Sequence, residues 1–105
     1  MQPLSQWKNK IDFYLNTVVN KIILNSKNDT AIGIEYDNNK KVYISDNNNG
    51  EIIICCGAID TPKLLLLSGI GPQDHLNYVG IKTLINNIGV GMHLLDHPEG
   101  VIIGK

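Results

Sequence analysis

The sequence predicts an α/β unit of the mixed α+β kind, an antiparallel β-meander leading into a buried strand and then a capped helix. Three observations predict it. Ile32, Ile34 and Tyr36 alternate with Gly33 and Glu35, the pattern of a half-buried strand. The run EIIICC at Glu51–Cys56 has no polar alternation and suits a strand covered on both faces. Thr61-Pro62 then precedes four leucines, Leu64 to Leu67, which Ser68-Gly69 closes.

Taken in order, Met1 to about Tyr14 has only weak helical character, around Trp7 to Leu15. Val18–Leu24 reads as a strand and Ser26–Asp29 as a turn. Asn38-Asn39 suits a tight hairpin after the alternating strand, with Val42 and Ile44 returning on its partner. Asp46–Gly50, DNNNG, is a second turn before the apolar run. Gly57 permits a backbone turn that a side chain would hinder. Thr61 fits the N-cap and Pro62 the first helical position, where a missing N–H costs nothing. The helix from Pro62 is apolar nearly all round, so it expects cover from more than one side. Gly69 is a natural left-handed cap. A short helix, DHLNYVG, and Gly-rich connections follow.

Composition narrows the function classes. The formal net charge is −1, and all nine cationic residues are Lys. Without arginine forks the chain is a poor nucleic-acid surface. No apolar stretch approaches the roughly 18 residues that span a bilayer, and the charged N-terminus does not read as a secretory signal. Cys55 and Cys56 are adjacent; neighbours on a strand point to opposite faces, which disfavours a metal pair, so they read as core thiols. A strained vicinal disulfide is the alternative. No disulfide framework is present, and a reducing intracellular environment is favoured, with the compartment otherwise open.

The string GAIDTPKLLLLSGIG, Gly57–Gly71, resembles the second signature of the glucose–methanol–choline (GMC) flavoprotein oxidoreductases. The likeness continues through Gly71-Pro72, His75-Leu76, Gly80-Ile81 and GVGMHLLDHP at Gly89–Pro98, and backwards through VVNKII and AIGIEY. It covers roughly Thr17 to Pro98 and implies that residues 1–105 are part of a GMC-type N-terminal, FAD-binding domain, incomplete at both ends.

The resemblance also sets what to expect of chemistry. The family's FAD loop is a GxGxxG turn, and its catalytic histidine, with a second His or Asn, lies near the C-terminus; neither segment is matched here. Gly89-Val90-Gly91 lacks the third glycine. A base must lie within hydrogen-bond reach of the alcohol as hydride leaves for the flavin, and none of His75, His93 and His97 falls at the family's position. His93 stands where relatives usually carry Asn, while Asp96-His97 matches the family's DHP and reads as a structural hydrogen-bonding unit. Val19 aligns with the valine whose backbone amide and carbonyl meet the adenine portion of FAD; the alternative is an ordinary strand valine. The expectation is therefore a truncated, catalytically inactive GMC remnant with no catalytic residue, no metal site and no cofactor retained beyond a vestigial Val19 contact to FAD. The other reading is one chain of a split FAD-dependent alcohol oxidoreductase, completed by a separately encoded GMC fragment. A small independent enzyme built on Cys55-Cys56 or Asp96-His97 is a third.

Overall fold

The computed structural model describes residues 11–37, 39–44 and 50–100. Three strands, β1 (Val19–Leu24), β2 (Ala31–Tyr36) and β3 (Lys40–Tyr43), form an antiparallel meander in sequential order. Ile22 faces Ile34 and Ile34 faces Val42 across the sheet, so β-branched side chains stack on one face. The β1–β2 turn is held by Asn25: its Oδ1 accepts from the N–H groups of Lys27 and Asp29, and its Nδ2 donates to Asp29. Asp37 and Asn39 take positive φ values of 42° and 96° in the β2–β3 turn, conformations their short polar side chains tolerate. Gly33 is needed in β2, because a Cβ there would collide with the carbonyl oxygen of Val42.

Helix α1 (Gly57–Leu67) packs against β1, and a short parallel pair follows, β4 (Ile70–Gly71) with β5 (Ile85–Asn86), connected through α2 (Gln73–Tyr78). Among the described residues the buried apolar side chains are Ile22, Leu64 and Leu76, the last fully so. The core is therefore a thin seam running from β1 through α1 to α2.

Four expectations need correction. Glu51–Cys55 belongs to no helix or sheet among the described residues, and Ile53 is 79% exposed. An apolar run becomes a buried strand only where neighbours offer ladder partners, and none of the described strands pairs with it. The helix begins at Gly57, five residues before Pro62, with Cys56 at the cap and no side-chain cap bond. Pro62 thus lies in the second turn, where its missing N–H forgoes a bond to the Ala58 carbonyl. Gly57 to Asp60 continue the same turn N-terminally, with Asp60 favourably placed in the first turn. Cys55 and Cys56 are exposed free thiols, not core thiols. Finally, α1 is covered on one side: Leu64 is buried, whereas Ile59 is 71% and Leu67 41% exposed.

Of the helical tendency around Trp7–Leu15, residues 7–10 lie outside the described residues, and residues 11–15 are not helical. The turn at Asp46–Asn49 and one hairpin residue, Asn38, also lie outside them. The strands near Val18 and Ala31, the Ser68-Gly69 stop and the short helix bearing His75 are found where the sequence places them.

Candidate functional site

The signature's buried polar residue, Ser68, is the centre of the packing. Ser68 is 2% exposed; its hydroxyl donates to the Leu64 carbonyl at 2.6 Å and accepts from the Ile22 N–H at 2.8 Å. Among the described residues β1 is an outer strand, so this one hydroxyl satisfies the Ile22 donor, which no described strand reaches, and pins the C-terminus of α1 to the sheet. Gly69 follows at φ +81°, and a Cβ there would sit 2.6 Å from the Lys82 carbonyl oxygen. Its own carbonyl accepts from the N–H groups of Leu84 and Ile85, while that of Gly71 accepts from Asn87. Ser68, Gly69 and Gly71 therefore join α1 to β1 on one side and to β5 on the other.

Val19 opens β1 and lines a cleft of ≈ 420 Å³ with Cys56, Asp60, Lys63, Leu64 and Leu67 of the α1 side. At this end of the ladder the Asp37 N–H bonds the Val18 carbonyl, and the Val18 N–H bonds the Asp37 carboxylate. Val19, the next residue along, stands opposite Tyr36, and the register shifts between it and Lys21. The rim carries an exposed ion pair, Lys63 Nζ to Asp60 Oδ1 at 3.3 Å. The structure thus brings Val19 beside the start of α1, a neighbourhood that strand alternation alone did not reveal.

A larger cleft, ≈ 730 Å³, lies on another face of α1, between Ala58–Leu66 and the segment from Asn87 to Leu95. Its floor is Leu65 and Leu66, and His93 stands on its wall at φ +60°. Asn and His are among the few non-glycine residues enriched in that left-handed region, which gives a physical reason why an imidazole side chain is tolerated at this position. Gly91, at φ +77°, provides the preceding reversal.

The three histidines are not gathered. His75 is on α2, where the N–H of Val79 bonds its backbone carbonyl; His93 borders the larger cleft; His97 lies in an exposed tail, its N–H bonded to the Asp96 carboxylate at 2.8 Å. No histidine lines the Val19 cleft among the described residues. Asp96 and His97 do form a hydrogen-bonded unit, though through the histidine backbone and not its ring. No cluster of three or more metal-ligating side chains occurs among the described residues, and no helix among them is long and apolar enough to cross a membrane.

Sequence reasoning missed the β4–β5 pair and the Ser68–Ile22 bond. The first is too short to leave a periodic signal, and the second joins residues 46 positions apart.

Comparison with known proteins agrees with this architecture. The family model described as GMC oxidoreductase, that of the N-terminal domain, matches residues 4–99. The chain belongs to the GMC oxidoreductase family. It is 62% identical over 52 residues, half of this chain, to choline oxidase of Arthrobacter globiformis. It is 31% identical over 97 residues, 89% of the chain, to the FAD, quinone glucose dehydrogenase of Drosophila melanogaster. To an oxygen-dependent choline dehydrogenase of Rhizobium rhizogenes it is 42% identical over 73 residues, 70% of the chain. The matched regions span 10%, 15% and 13% of those relatives, respectively. Intact members of the family bind FAD.

Proposed function

We propose that these 105 residues act as a scaffold portion of a GMC-type FAD-binding domain and have no alcohol-oxidising activity by themselves. The observation that carries this reading is the use made of the signature. Ser68 spends its hydrogen-bonding capacity inside the fold, Gly69 is required by the close approach of the Lys82 backbone, and the motif's carboxylate, Asp60, is exposed and paired with Lys63, so the motif's use here is structural packing. When bound, FAD supplies the hydride acceptor. This chain's share would be to hold the adenine edge through the Val19 backbone, in a cleft whose apolar wall of Leu64 and Leu67 suits a flat heterocycle. Sequence outside these residues would supply the pyrophosphate loop and the catalytic base.

The test is direct. Purified polypeptide incubated with FAD should turn over neither choline nor glucose in a dye-reduction assay, and Val19→Pro, which deletes the amide, should weaken any residual FAD quenching. Sustained substrate-dependent dye reduction by the polypeptide alone would sink the reading.

A second reading is supported by one feature, the apolar and partly exposed Glu51–Cys55 segment that pairs with no described strand. Unpaired ladder groups of that kind recruit a further strand. The chain would then be one piece of a split FAD-dependent alcohol oxidoreductase, completed by a separately encoded GMC fragment. Co-expression with a fragment carrying the GxGxxG loop and C-terminal histidine should yield a yellow co-purifying complex; two colourless, separately eluting proteins would count against it.

A further inference from the structure

We propose that Ser68 is a positioning residue for the adenine end of FAD, fixing the spacing between β1 and α1, an inference that rests on the adenine contact proposed for Val19. The Val19 cleft has two walls, Val18 and Val19 from β1 and Asp60, Lys63, Leu64 and Leu67 from α1. One buried oxygen ties the elements that carry them. Ser68 Oγ accepts from the Ile22 N–H of β1 at 2.8 Å and donates to the Leu64 carbonyl of α1 at 2.6 Å. Leu64 is thus both a partner of this hydroxyl and a wall of the cleft. Ser68 is 2% exposed within these residues alone, so further sequence can only cover it more, and its bonds do not depend on which surfaces the chain leaves open.

Spacing along each element carries the effect from the hydroxyl to the cleft. On α1, Asp60, Leu64 and Ser68 recur every four residues and so share one face, which runs from the cleft to the anchored end. On β1, Val19 lies three residues before Ile22, about 10 Å at ~3.3 Å per residue. Both elements therefore run from the cleft toward the same hydroxyl. Pairing with β2 holds Val19 less firmly, because the register shifts between Val19 and Lys21 and a ladder is disrupted at such an irregularity. Without the hydroxyl the Ile22 N–H must find another acceptor, and β1 shifts against α1 to reach one. The Val19 wall moves with it. Ser68 does not line the cleft, so it acts on bound adenine only through the two elements it joins.

The probe is AMP, the adenine-bearing portion of FAD, titrated into the purified, isotope-labelled chain while the Val19 amide is followed by NMR. Wild-type Val19 should move and yield a dissociation constant. Ser68→Ala should raise that constant about two- to thirtyfold, the range for residues that act without touching the ligand. Gly80→Ala controls for lost stability: it is strained at φ +75° in open space and lies outside the cleft, so its dissociation constant should match the wild type's. A merely structural role for Ser68 would leave the two variants alike. Ser68→Cys, close in volume but weaker in both bonds, should fall between wild type and Ser68→Ala, and it decides the matter if the alanine variant does not fold. A wild-type Val19 amide that moves, with a dissociation constant that neither Ser68 variant changes, overturns this inference and leaves the adenine contact standing. A wild-type Val19 amide that AMP does not move overturns both.

Discussion

Ser68→Ala is the substitution that tests the packing account most sharply. It removes a single oxygen from a site 2% exposed, leaving a space too small to matter much as a cavity, so the effect is carried by hydrogen bonding. The two lost bonds are unequal. The Leu64 carbonyl still accepts from the Ser68 backbone N–H at 3.1 Å and stays satisfied. The Ile22 N–H, in a residue 6% exposed on the strand edge, loses its partner. An orphaned buried donor costs about 1–3 kcal/mol, so the urea midpoint should fall by that amount divided by an unchanged m-value. The matched control is Thr17→Ala, whose hydroxyl donates to the Leu15 carbonyl at 3.2 Å in a solvent-facing position and should matter by no more than about 0.5 kcal/mol. If Ser68→Ala were as mild as Thr17→Ala, the Ile22 amide would be reaching water, and the claim that the signature serine ties α1 to β1 would be refuted.

Further outcomes follow from the same geometry. Gly69→Ala combines a left-handed φ with a clash against the Lys82 backbone, whereas Gly80→Ala meets only the φ penalty, with open space around its Cβ. Gly80→Ala should cost about 1–2 kcal/mol and Gly69→Ala clearly more, read from paired denaturation curves; equal costs would argue against the close approach at Lys82. Asp29 is held below the usual aspartate range, first by the hydrogen bond from the Asn25 side chain and then by that from Thr30. Because the folded value is depressed, the ionised carboxylate stabilises the β1–β2 turn above the unfolded pKa, and this is lost as pH falls through the folded one. Asn25→Ala should move the Asp29 titration upward in carboxyl-carbon NMR, and an unmoved curve would exclude the Asn25 bond as its cause.

Much of the fold was legible because its signals are local. The Ile32–Ile34–Tyr36 alternation, the Ser26–Asp29 turn and the Ser68-Gly69 stop are each set by nearest-neighbour stereochemistry, and each appears in place. Thr61-Pro62 misled for the same reason: it carries a valid local start signal, yet the backbone from Gly57 to Asp60 was free to extend the helix by more than a turn. The Glu51–Cys56 run misled differently. Its composition states a need for partners, but hydrogen-bond partners belong to other segments, and none of the described ones supplies them.

The candidate site divides along the same line. The family, the place of Val19 in a first strand and the absence of the family's catalytic segments from these residues could be read in one dimension, since each is a matter of residue order. That Val19 shares a cleft with Cys56 and Lys63, that the two thiols are exposed, and that Ser68 satisfies Ile22 across 46 positions came only from the tertiary structure. Order along a chain specifies which local conformations are cheap; which side chain meets which backbone group depends on how those pieces dock, and docking is decided by long-range hydrogen bonds and burial.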